Sequence, residues 1–204
     1  MKRLLTVLAL LPGTVLAAPN SWSLASPNRQ CAIVVTLGGD GALSYRVSLE
    51  GKTVIENSPM GACRDDQGFE RGLRFERAGK AGSRREKYEL FAGTRPRVDH
   101  TLNHRTLAFR NANDASIIIE LAASDEGVAF RYCFPESSSE VHVLRAESSG
   151  FKVSCATRAW LQPYHEAGDY TPAYEDFYFN VAPGDAPPRS RARPLGKLSP
   201  RNRT

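Results

Sequence analysis

A chain of 204 residues with 41% apolar and 24% charged side chains and a formal net charge of +5 has room for one domain with a sizeable core. The basic excess is local. Lys2 and Arg3 supply two basic side chains and the segment from Arg189 to Thr204 six more with no acid, which leaves 19 basic against 22 acidic residues, a net of −3. A weakly acidic body has no clustered basic face, so nucleic acid is excluded as a partner on electrostatic grounds.

Lys2 and Arg3 precede the apolar run Leu4 to Leu11, then Pro12, Gly13 and the small-residue stretch Val15-Leu16-Ala17-Ala18. That order is the pattern of a signal peptide over residues 1–17, cut after Ala17. The run falls well short of the ~20 residues that span a bilayer. The expectation is an exported protein, periplasmic or secreted, with no membrane span. An oxidising compartment allows disulfides among Cys31, Cys63, Cys133 and Cys155, with three pairings open. Their separations of 32, 70 and 22 contain no close pair of the zinc-binding kind.

From Cys31 onward the pattern has period two. Ala32 to Leu37 reads as a strand, Gly38-Gly39-Asp40-Gly41 as a turn, and Leu43, Tyr45, Val47 and Leu49 as the buried face of a second strand. Glu50-Gly51-Lys52 turns the chain into Thr53-Val54-Ile55. Phe69 to Arg77 and Lys87 to Phe91 follow as strands around a Gly- and Arg-rich loop from Ala78 to Arg85. Arg97 to Asn103 and Thr106 to Arg110 are predicted to form a hairpin about His104-Arg105. Asn111 to Asp114 then turns into Ser116 to Leu121. Val128, Phe130, Tyr132 and Phe134 mark one face of the next strand, and Glu140 to Ala146 and Phe151 to Cys155 close the series. About ten strands with short turns and no amphipathic helix predict an all-β fold, an antiparallel sandwich or related barrel. The domain is expected over residues 18–182. Pro183 to Pro188 reads as a linker, and residues 183–204 as a disordered basic tail with almost nothing apolar to bury.

The stretch from Ala159 to Tyr178 differs from everything before it. It holds Trp160 and four of the seven tyrosines (Tyr164, Tyr170, Tyr174, Tyr178), interleaved with Glu166, Asp169, Glu175 and Asp176 and interrupted by Pro163, Gly168 and Pro172. The prolines and glycine preclude a long helix or a central strand, so a long side-chain-rich loop is predicted. Rings that stack on sugar faces beside carboxylates that bind hydroxyls, protons or a hard cation suit a carbohydrate site. Trp160 is expected to pack as the loop's anchor. His100, His104 and His142 are too scattered along the chain to suggest a metal site, and no serine or cysteine lies in a nucleophile motif.

Three segments together resemble the N-terminal domain of glycoside hydrolase family 97, the calcium-dependent α-glucosidases and α-galactosidases. They are Leu43-Ser44-Tyr45-Arg46-Val47 with Gly51 to Gly61, then Asp125-Glu126-Gly127-Val128-Ala129-Phe130-Arg131-Tyr132-Cys133-Phe134-Pro135-Glu136, and Ala159-Trp160 leading to Tyr174-Glu175-Asp176-Phe177-Tyr178. The resemblance implies a β-super-sandwich of the galactose mutarotase-like kind that packs on a catalytic (β/α)8 barrel. It also implies that Glu175, after Tyr174, is a ligand of the active-site calcium. His165 and Glu166 are the reserve candidates, as rim contacts to substrate or as a second ligand, and Tyr174 joins them as a contact to an α-glucoside or α-galactoside. The sequence after Asn180 cannot form that barrel, so the expectation is a truncated or frameshifted chain, inactive alone, with no catalytic residue of its own. A stand-alone carbohydrate-binding sandwich is the competing reading. A mutarotase-like epimerase is disfavoured, because His165 and Glu166 are adjacent and cannot face each other across a sugar.

Overall fold

The computed structural model describes residues 20–94, 96–163 and 177–185. Among these there are thirteen strands and no helix. Ser21–Ala25 (β1), Cys31–Leu37 (β2), Leu43–Leu49 (β3) and Lys52–Met60 (β4) form one antiparallel sheet in chain order. Arg74–Ala78 (β6), Gly82–Glu89 (β7), Arg97–Arg110 (β8), Ser116–Ser124 (β9) and Gly127–Cys133 (β10) form the second. Its order is β10-β9-β8-β6, with β7 paired to the other half of β8. Two short pairs complete the description: Ala62–Arg64 (β5) with Leu144–Glu147 (β11), and Ala159–Leu161 (β12) with Phe179–Val181 (β13). The all-β antiparallel expectation holds.

The two sheets face each other because their alternating residues do. Ile33 and Val35 of β2, Leu43, Tyr45 and Val47 of β3, Leu107 and Phe109 of β8, and Ile117, Ile119, Leu121 and Ala123 of β9 make one buried cluster. Burying a side chain of this size stabilises by about 1.5–3 kcal/mol, so the shared face fixes both strand register and sheet pairing. β1 adds Trp22, whose ring lies 4.6 Å from Phe75 and 5.4 Å, edge-on, from Phe109. The β3–β4 connection is a two-residue turn in which Glu50 (φ 50°) and Gly51 (φ 77°) are both left-handed, the geometry that matches strand twist. The β8–β9 turn is held by Asn111, 3% exposed. Its carbonyl oxygen accepts from the Asn113 and Ala115 amides, and its amide donates to Gln67 and the Gly68 carbonyl.

Three local expectations are corrected. The hairpin predicted at His104-Arg105 is one continuous fourteen-residue strand, β8. Its N-terminal half pairs with β7 as a charged ribbon, and its C-terminal half with β6. The loop predicted to Arg85 gives way to strand from Gly82. Phe151 to Cys155 is no strand; instead residues 148–152 bond along the free edge of β4, through Ser148 N to Gly61 O, Gly150 N to Pro59 O and Glu56 N to Lys152 O. All four cysteines are free thiols. Among the described residues no helix is long and apolar enough to cross a membrane.

Candidate functional site

The residues singled out from sequence, His165, Glu166, Tyr174 and Glu175, lie outside the described residues. The stems of their loop are described. β12 and β13 pair antiparallel with Trp160 opposite Asn180 and Leu161 opposite Phe179, so the loop leaves and rejoins the body at one strand pair. Val181 is buried there. Trp160 is not: it is 64% exposed, with Phe177 at 84% and Tyr178 at 63%. The expected anchoring role of Trp160 is therefore corrected. A three-residue strand pair offers too little surface to cover an indole, and the stem presents aromatic faces outward.

A second constellation lies at β5 and was not picked out as a site from sequence. Arg64, 8% exposed, closes a fork on Asp66 with hydrogen bonds of 2.8 and 2.6 Å and also bonds Glu136. Its guanidinium stacks 4.9 Å from the Phe134 ring centre and 5.9 Å from that of Phe69. The hydrogen bonds from Arg64 hold the Asp66 carboxyl below the usual carboxylate range; the same contact pushes the Arg64 guanidinium up. Two carboxylates on one buried cation form a fixed polar scaffold. The only sequence signal for it was Arg64-Asp65-Asp66 and Pro135-Glu136, which are 72 residues apart and meet through folding.

His142 joins this group: its Nδ1 lies 3.7 Å from Asp65 and 3.6 Å from Asp66. The three side chains place one ligand atom each within 4.8 Å of one another, which the spacing of the histidines did not suggest. They do not fit calcium. That ion takes six to eight oxygens, whereas both Asp66 oxygens are engaged by Arg64 and the third donor is an imidazole. The depression beside them, about 480 Å³, is lined also by Arg110, Asp114 and Glu140. Its acids and bases can exchange hydrogen bonds with hydroxyls.

The N-terminal domain model of glycosyl-hydrolase family 97 matches residues 24–195. A probable retaining α-galactosidase from Streptomyces bingchenggensis (strain BCW-1) is 32% identical over 177 residues, covering 78% of this chain and 27% of that protein. Among solved structures, a β-arabinopyranosidase superposes with a TM-score of 0.71 at 23% identity, over 78% of this chain and 26% of its own. A family 97 enzyme from Pseudoalteromonas sp. strain K8 in complex with acarbose gives 0.65 at 22% identity, over 79% and 24%. A variant of the enzyme from that strain in complex with panose gives 0.62 at 23%, over 70% and 22%. At these identities the structural likeness establishes the fold. The chain spans about a quarter of the length of the relatives it matches.

Proposed function

The chain belongs to glycoside hydrolase family 97, whose N-terminal domain it spans, and from that membership we propose that it is the accessory sandwich of a calcium-dependent glycosidase acting on α-glucosides or α-galactosides. In this reading Glu175 lends one carboxylate to the active-site ion, and His165, Glu166 and Tyr174 touch the substrate rim. The chain is inactive alone. Cleaving a glycosidic bond takes two carboxyl groups flanking it, and one glutamate falls far short of a calcium shell. The observation that supports this most is the outward-facing aromatic stem of Trp160, Phe177 and Tyr178 on the segment that carries Glu175. Such a surface marks an interaction site.

The test joins this chain to the catalytic portion of the streptomycete relative and assays p-nitrophenyl α-galactoside and α-glucoside. The isolated chain should leave both intact. The fusion should hydrolyse one of them, with activity restored by calcium after chelation and cut at least 100-fold by Glu175→Gln. Hydrolysis by the isolated chain, or a Glu175→Gln fusion with unchanged calcium dependence, overturns the reading.

The same three exposed rings favour a second reading, binding of panose-like α-glucosides by the sandwich alone. Calorimetry with Trp160→Ala as the control decides it. We also propose export, with the mature chain beginning at Ala18; the N-terminal peptide mass of secreted material checks this.

A further inference from the structure

Among the described residues β10 ends the second sheet with an uncovered edge. There it pairs only with β9, and the two are joined by Asp125-Glu126 with Ser124 opposite Gly127. The pair that closes such a two-residue hairpin exchanges both of its hydrogen bonds. Gly127, Ala129, Arg131 and Cys133 therefore direct their backbone groups into β9, while Val128, Phe130 and Tyr132 direct theirs away from it. Among the described residues no backbone hydrogen bond reaches those three from the outer side. Three other edges are managed. β4 is covered by residues 148–152. β7 carries Arg84, Arg85, Glu86 and Lys87, a charged edge that discourages pairing. The β1 carbonyls of Ser23 and Ala25 accept from Arg105 and Asn103. β10 bears one charge, Arg131, already paired with Glu120 at 2.5 Å.

The first sheet continues beneath this edge. The Phe130 ring sits 5.0 Å from Tyr45 of β3, and beyond β3 lie β4 and then residues 148–152. At about 4.8 Å per strand the lower sheet projects roughly 10 Å past β10. That ledge carries Phe151, 72% exposed and 6.3 Å from Tyr45. The core-facing side chains of Val128, Phe130 and Tyr132 are only partly buried beside it. The shape is a step: among the described residues its riser carries three N–H and three C=O groups that no backbone bond reaches, and its tread carries Phe151 beside the Tyr132 phenol, which bonds Ser149 Oγ and accepts from Gly61 N.

We infer that this step receives one added β-strand, supplied by the polypeptide that longer family 97 members carry beyond the portion this chain matches. A second copy does not fit. Joining two β10 edges about a two-fold axis puts both core faces on the same side, and the two ledges would then occupy the same space. A single extended strand needs about 4.8 Å of width, about half of what the ledge offers. Its alternate residues must be apolar, to rest on Phe151 and close over Phe130, and it cannot have proline at the bonding positions. Only the source of the strand rests on the family reading; the acceptor edge stands on the geometry.

The test is amide hydrogen exchange on the mature chain and on its fusion to the remainder of the streptomycete relative. In the isolated chain the amides of Val128, Phe130 and Tyr132 should exchange far faster than those of Ala129 and Arg131. In the fusion they should slow by at least 100-fold. Slow exchange of the three in the isolated chain at every concentration, protection that appears only as concentration rises, or a folded fusion in which they stay fast each overturns the proposal. Protected amides in a fusion that hydrolyses nothing leave this inference standing and remove the calcium reading. Should the fusion not fold, a labelled peptide of the Gly127–Cys133 sequence is the probe, because it can pair with β10 but carries no ledge. It should bind, and fail to bind when N-methylated at Val128, Phe130 and Tyr132; no binding at millimolar concentration refutes the edge.

Discussion

Phe109→Ala tests the account of the core most directly. Phe109 is fully buried and meets both Trp22 and Phe75 through ring edges. Truncating a buried phenylalanine costs about 3–5 kcal/mol, and the two lost ring contacts place this site toward the upper half of that range. Against a domain stability of about 5–15 kcal/mol, a loss near 4 kcal/mol lowers the melting temperature by roughly 8–16 °C. Urea unfolding followed by tryptophan emission in a Trp160→Phe background isolates Trp22 as the reporter, since the chain has two tryptophans. The Trp22 indole N–H is buried without a hydrogen-bond partner, so water admitted to the cavity can bond it and shift its emission to the red. A loss below about 1 kcal/mol with unchanged emission would show that the two sheets do not meet at Phe109.

Asn111→Ala strips two donors and one acceptor network from the β8–β9 turn and should cost about 1–3 kcal/mol in urea unfolding, with Asn111→Asp recovering only the part that accepts from Asn113 and Ala115. Burial pushes the Tyr132 phenol above its ordinary value, against its hydrogen bonds with Ser149 and Gly61. The folded state thus holds that proton longer than the unfolded chain, and its contribution is complete below about pH 10 and lost as pH rises through the folded value. Tyr132→Phe should remove one late phase from the alkaline absorbance titration. Asp66 behaves oppositely: its folded pKa is depressed, chiefly by Arg64, so its contribution is present above about pH 4 and fades as pH falls. Asp66→Asn should flatten the acid limb of the stability profile. Timed alkylation of the native protein should modify Cys155, the exposed thiol, first and Cys31, which is buried, last.

The strands with strict alternation were legible from composition and spacing, because burial on one face writes itself into period two. β3 is the clearest case: Leu43, Tyr45 and Val47 are buried as the pattern marks, while Leu49, marked with them, is 44% exposed because it ends the strand beside the Glu50-Gly51 turn. β8 was misread because its polar centre, His104-Arg105, looks like a turn. The strand instead changes partner there, from β7 to β6, and half of it has no core beneath. Two glycines record the change. A Cβ at Gly82 would lie 2.8 Å from the His104 ring and one at Gly79 2.5 Å from the Thr106 hydroxyl, so glycine is what permits the close approach. The Arg64 cluster was illegible because its parts are distant in sequence and each alone looks like a solvated charge.

The ribbon of β7 and the first half of β8 has a consequence of its own. Arg85 and Lys87 pair with Asp99, Glu86 with His100 and Glu89 with Arg97, and most of its side chains face solvent. Exposed pairs of this kind contribute about 0–1 kcal/mol each and are screened by salt. What holds the arm is its backbone ladder along β8, to which charge adds little, whereas the body is held by burial. Local opening should therefore start at the arm's tip and run toward Gly82 while the sandwich stays shut, giving one chain two thresholds of order.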